Sequence, residues 1–219
     1  METDGSMSYF HGQTFSTYYG TTPLPAGSLV NSQWIHVAVV RDSASKVIKG
    51  YKNGILLTTS GVYSPDPAVQ AGYPVVIGMG YTGVDLSGII DDVRIYNYDR
   101  TADQILVDYN NGAAARTGPG TDPNEGTLPV GYWPLDENTG TNSYDKSGSG
   151  LAGNCTFGGT TWVPGRYGSA SSHNGSSDYV YAQIGSWIGT SNAAWTVEAW
   201  FYSPDSGGPI IGICASPPG

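Results

Sequence analysis

The chain has 219 residues and a formal net charge of −9, with only 12% charged residues, so it lacks the clustered cations that hold nucleic acid or an anionic membrane surface. It carries 32 glycines and 16 tyrosines, a profile of turn-rich β proteins whose solubility rests on Ser, Thr, Asn and Tyr. No apolar stretch approaches a membrane span, the opening Met1-Glu2-Thr3-Asp4-Gly5 has neither the basic nor the apolar part of an export signal, and any such signal is expected outside this chain. The surplus of carboxylates suits a hard cation such as calcium.

In chain order, Trp34 to Val40 is a continuous β-branched run, expected as a strand buried on both faces. A strand from Lys46 to Tyr51 leads through Asn53-Gly54 into Ile55 to Thr59. Asn-Gly between two apolar runs is a strong hairpin signal, because both turn residues must accept positive φ. Pro74 to Met79 and Gly88 to Tyr96 read as further strands. Thr101-Ala102-Asp103-Gln104 then reads as a capping box ahead of a helix reaching Tyr109. From Asn110 to Pro129 the apolar pattern stops in a linker-like composition. Beyond it, strands are expected at Val130 to Leu135, Gly153 to Phe157, Tyr179 to Ala182, Trp195 to Tyr202 and Pro209 to Cys214.

The fold class is therefore all-β, an antiparallel sandwich with one short helix near residues 101–109. Cys155 and Cys214 either form one disulfide or stay as two buried thiols, and their spacing fits no metal motif. His36, in phase with Trp34 and Ala38, reads as a hydrogen-bonded core histidine, while His11 and His173 stand alone. Trp34, Trp133, Trp195 and Trp200 sit in strand patterns and read as structural. Trp187 and the Tyr18-Tyr19 pair are the candidate exposed platforms for the C–H faces of sugar rings. Glu198 stands alone in an apolar strand, and Asp91 and Asp92 are adjacent, hence on opposite faces of a regular strand, with Asp91 in phase with Val93 and Ile95. No pair of carboxylates spaced for glycoside hydrolysis appears, and the chain is not expected to be an enzyme.

Several stretches resemble the laminin-G-like / concanavalin A-like lectin family. Val130 to Asp136, Tyr144 to Gly150, Trp162 to Ala170, Asn174-Gly175 with Asp178-Tyr179-Val180, and Trp195 to Trp200 resemble its opening portion. Trp34 to Val40, Tyr51 to Gly54, Ile77-Gly78 and Gly88 to Asn97 with the trailing helix resemble its closing portion. The order is reversed, since the closing portion comes first here. Residues 1–110 are thus expected to be the C-terminal half of such a jelly roll, 111–127 a linker, and 128–219 the N-terminal half. They form one circularly permuted domain, or two half-domains completed by neighbouring subunits, or an incomplete fragment of a tandem array.

The resemblance implies a non-catalytic extracellular recognition or adhesion module, secreted or at the cell surface, that binds a glycan or surface glycoprotein with structural calcium. It also implies that the acidic loop at Asp145 lies near the strand bearing Asp91 and Asp92, the three making a candidate calcium site. The alternative to that site is an Asx-turn at Asp145 and backbone N–H bonds to Asp91. The alternative to the recognition role is a structural subunit that assembles head-to-tail into a filament or surface layer by half-domain swapping, with no nucleic acid and no membrane insertion involved.

Overall fold

Two stacked antiparallel sheets and a terminal hairpin carry the chain, in a computed structural model that describes residues 2–14, 17–67, 74–79, 85–110, 127–150, 152–184, 193–205 and 208–213. The larger sheet runs in the order β11 (Thr161–Pro164), β12 (Ser169–Asn174), β7 (Ser87–Tyr96), β14 (Trp195–Tyr202), β3 (Ile35–Asp42), β4 (Val47–Lys52), β5 (Ile55–Thr59). A short strand, β8 (Gly131–Trp133), continues the β12 side of β7. The smaller sheet runs β15 (Ile211–Ile213), β6 (Val75–Ile77), β13 (Tyr179–Ile184), β10 (Ala152–Gly158), β9 (Asn142–Ser143). The hairpin of β1 (Met7–Thr14) and β2 (Thr17–Leu24) lies against β4 and β5, delivering Met7 and Leu24 into the core.

Both sheets draw strands from the two chain halves. In the larger one, β14 sits between β7 and β3 with Phe201 opposite both Ile35 and Ile90; in the smaller one, β13 lies between β6 and β10. The apolar core between the sheets takes Ile35, Val37, Ile90, Val93, Ile95, Ala199 and Phe201 from one and Val75, Ile77, Cys155, Phe157, Val180 and Ala182 from the other. Trp133 closes it from β8, fully buried, with its Nε1–H donated to the Gly153 carbonyl at 3.1 Å. The reading of β3 as buried on both faces holds, since only Val39 within it is part-exposed. The reason is the helix α1 (Ala102–Tyr109), which covers the outer face of the larger sheet and sets Ile105 on Ala38, Val40 and Tyr51.

Local signals sit where expected. Asn53 (φ 50°) and Gly54 (φ 78°) form the β4–β5 turn with both residues left-handed. Thr101 caps α1, its hydroxyl accepting from Gln104 N–H while the Gln104 side chain accepts from Thr101 N–H.

One expectation is corrected. Trp200 lies opposite Asp91 and Glu198 opposite Arg94, so β7 holds one more residue than β14 over this stretch, and Asp92 takes φ 55°. That bulge reverses the alternation and puts Asp91 on the outer face with Trp200, not in phase with Val93 and Ile95.

Candidate functional site

A hollow of about 340 Å³ opens at the β11 edge of the larger sheet, lined by Asp136, Asn138, Trp162, Val163, Pro164, Gly168 and Ser169. One wall is the loop between β8 and β9, where Leu135 (φ 60°) and Asn138 (φ 52°) both take left-handed backbone, turning the chain sharply around Asp136. The other is the β11–β12 hairpin, closed by a bond from Gly165 N–H to the Gly168 carbonyl at 3.0 Å.

Asp136 joins the two walls: its Oδ1 accepts Ser169 N–H at 2.9 Å, and the Ser169 hydroxyl donates back to the Leu135 carbonyl at 2.9 Å. Gly168 (φ 59°) is demanded by this contact, because a Cβ there would collide with Asp136 Oδ1. Trp162 is half-buried, its ring tilted against Phe157 at 4.5 Å between centroids, with its Nε1–H donated to the Gly140 carbonyl at 2.8 Å. The indole is thus fixed and offers the hollow its surface rather than its N–H.

The same hairpin is held from its far side by Asp91, whose Oδ2 accepts Tyr167 N–H at 2.9 Å and lies against Gly165. Asp91 is fully buried, and its Oδ1 has no hydrogen-bond partner. Burial, reinforced by Asp92 and Asp136, pushes its carboxyl up to about 7 despite the amides of Tyr167 and Arg166. Arg166 turns outward over the Trp200 ring at 4.8 Å, and Tyr109 of α1 stacks on Trp200 at 5.5 Å.

Beside Trp200 the outer face carries a buried ionic network. Glu198 meets His36 at 3.3 Å and Arg100 at 3.1 Å; Asp108 of α1 meets Arg100, accepts the Tyr96 hydroxyl at 2.8 Å, and faces Arg94; Arg94 pairs with Asp92 at 2.8 Å. Burial raises the carboxyls of Asp92 and Asp108 above the usual range, outweighing the arginines beside them. Glu198 therefore does not stand alone, and His36 is buried as expected, with its Nε2 beside a Glu198 carboxylate oxygen. His173 is also buried, between Ser171 Oγ (3.1 Å) and the Asp178 carbonyl (3.3 Å), and burial lowers its pKa to about 4. His11 contacts the Tyr9 hydroxyl at 2.9 Å and the Pro65 carbonyl at 2.8 Å, so neither of these two is isolated.

The three candidate calcium ligands each have other partners. Asp145 Oδ1 accepts the amides of Tyr132 and Ser147 at 2.9 Å, and its Oδ2 accepts the Ser147 hydroxyl at 2.8 Å. That is the Asx-turn alternative. Asp92 is paired with Arg94, and Asp91 holds the hairpin. Among the described residues no group of three or more His, Cys, Asp or Glu side chains is arranged to hold a metal ion. These carboxylates do not fit a calcium cradle, whose ion needs six or more oxygens converging on one point.

Of the other candidates, Tyr18 is exposed on the β1–β2 hairpin, whereas Tyr19 turns inward, its ring 5.4 Å from His11 and 5.9 Å from Tyr63. Trp187 and Cys214 lie outside the described residues. Cys155 is a buried free thiol whose pKa is raised well above the usual thiol value by desolvation. Trp133 and Trp200 are buried as expected, while Trp34 and Trp195 are only half-buried. The hollow itself was not anticipated. Its signals were Trp162 ahead of Pro164-Gly165, and Asp136 directly after an apolar strand, both otherwise ordinary in a turn-rich chain.

Two stacked antiparallel sheets around one apolar core, with an aromatic-walled hollow at the sheet edge, define a jelly-roll sandwich of the lectin type. Residues 2–106 match the family model described as the concanavalin A-like lectin/glucanases superfamily, of the laminin-G type. Neither a curated protein nor a solved structure matches the chain. The match supports a lectin-like or binding module in general. No described helix is long and apolar enough to cross a membrane.

Proposed function

We propose that this chain is a non-catalytic, extracellular carbohydrate-recognition module whose ligand sits in the hollow between the β8–β9 loop and the β11–β12 hairpin. The observation that carries the reading is the combination of a fixed, half-buried indole at Trp162 with the Asp136 carboxylate and Asn138 amide around a space at the small end of ligand pockets. An aromatic wall meets the C–H face of a pyranose while a few polar groups orient its hydroxyls. A non-catalytic role is favoured because the outer-face carboxylates Glu198 and Asp92 are buried, Asp108 is half-buried, and each faces an arginine, so none is free to protonate a glycosidic oxygen.

Glycan-array and affinity-electrophoresis screening of the wild type, Trp162→Ala and Asn138→Ala tests this. Binding lost in Trp162→Ala and weakened in Asn138→Ala, with the fold retained by circular dichroism, is the expected outcome. Binding indifferent to both substitutions moves the site elsewhere, and no binding to any polysaccharide or glycoprotein overturns the reading.

The same chain organisation supports a permuted domain closed within one molecule, residues 1–110 and 128–219 being complementary halves. Pairing of β14 between β3 and β7 supports it. A second reading keeps the pairing but exchanges halves between chains, giving a head-to-tail structural assembly. Light scattering separates them: a 23.0 kDa monomer fits the closed domain, and concentration-dependent polymers fit the exchange.

A further inference from the structure

We infer that the hollow selects uncharged, hydroxyl-bearing sugars and excludes acidic ones; this rests on the carbohydrate reading and names the ligand class of that site. The reason is the balance of donors and acceptors in its walls. Three donors that would otherwise serve a ligand are already engaged: Trp162 Nε1–H by the Gly140 carbonyl, Ser169 N–H by Asp136, and the Ser169 hydroxyl by the Leu135 carbonyl. Pro164 has no N–H to offer. The side-chain polar groups that remain are the Asn138 amide, which both donates and accepts, and the Asp136 carboxylate, which when ionised only accepts hydrogen bonds. The Asp136 carboxylate is therefore complemented by a ligand that brings donors of its own. Sugar hydroxyls do; a uronate carboxylate or a sulfate ester brings further acceptors and a like charge.

Charge points the same way. No Lys, Arg or His lines the hollow. Arg166, on the same hairpin, is directed over the Trp200 and Tyr167 rings on the outer face. An acidic ligand would thus meet Asp136 without a counter-charge, on a chain whose net charge is −9. Among uncharged sugars, the indole favours a ring face that presents C–H bonds, with equatorial hydroxyls reaching sideways to Asp136 and Asn138.

Isothermal titration and affinity electrophoresis with matched neutral, carboxylated and sulfated polysaccharides, at low and high salt, test this for the wild type and for Asp136→Asn. Asparagine keeps an oxygen for Ser169 N–H while removing the charge. The expected result is that acidic polysaccharides bind at least about tenfold more weakly than neutral ones at low salt, a gap of about 1.4 kcal/mol. That gap should narrow at high salt, where a like-charge penalty is screened, and shrink in Asp136→Asn. Acidic polysaccharides bound as well as neutral ones, or a gap unchanged in Asp136→Asn, overturns the selectivity while leaving the carbohydrate reading in place. No binding of any of the three classes brings down both.

Discussion

The two faces of the larger sheet solve the same problem differently. Its inner face meets the smaller sheet with Ile35, Val37, Ile95, Ala199 and Phe201, which need no directional partner. Its outer face, one residue out of phase on the same strands, buries His36, Glu198, Arg94 and Asp91, each of which must find an opposite charge or a hydrogen bond in a place water does not reach. The inner face tolerates any well-packed apolar arrangement. The outer face fixes one, because α1, the β11–β12 hairpin and β8 must all arrive with particular groups in particular places. The hollow inherits that order, since its hairpin is anchored on the outer face through Asp91.

The sharpest way to break the inner face is Phe201→Ala. Its side chain is buried opposite Ile35 and Ile90, and loss of the ring leaves a cavity the two sheets cannot close, so denaturant unfolding should show about 3–5 kcal/mol of destabilisation. On the outer face the comparable change is Glu198→Gln, which keeps the shape but removes the buried charge facing Arg100, leaving that guanidinium with Asp108 alone. A loss of about 3 kcal/mol is expected. If Glu198→Gln proves neutral while Phe201→Ala is severe, the outer face is a passive surface and the contrast drawn here fails.

A third test changes pH rather than sequence. Asp91 has a folded pKa raised to about 7 from an unfolded value of 3.8, so the folded state holds its proton more tightly. The stability this proton contributes is complete below the unfolded value and is lost as pH rises through the folded one. Melting temperatures of wild type and Asp91→Asn across pH 4 to 8 should therefore diverge, the variant gaining on the wild type up to about pH 7 and holding its lead above. An apolar inner-face variant should show no such divergence.

The difference between the faces also sets what could be read in advance. Inner-face strands were legible because β-branched runs such as Trp34 to Val40 and turn signals such as Asn53-Gly54 are local. The strands β1, β2, β9, β11 and β12 were not foreseen. β12, Ser169-Ala-Ser-Ser-His-Asn174, is mostly small and polar and takes its strand place by pairing with β7 and β11. Outer-face chemistry was less legible still. Glu198 looked isolated because its partners, His36 and Arg100, lie far away in sequence. The phase of Asp91 was misassigned because a bulge at Asp92 leaves no compositional trace. The hollow required two loops, neither marked by its own residues, to meet through one bond from Ser169 to Asp136.

The smallest expected effect concerns Asp145, where a resemblance pointed to calcium and the geometry points to a turn. A bound ion that prefers the folded state raises the melting temperature in proportion to the logarithm of its concentration, whereas a turn does not respond to it. Adding millimolar calcium or a chelator should leave the melting temperature of the wild type unmoved. Asp145→Ala should still lower stability by about 1–2 kcal/mol, because the Tyr132 and Ser147 amides lose their acceptor. Asp145→Asn, which keeps one carbonyl oxygen for those amides, should recover most of that loss. A calcium-dependent rise that vanishes in Asp145→Asn would instead mean that this loop rearranges around an ion, and that the acidic loop belongs with the order-demanding outer face rather than with the local turns.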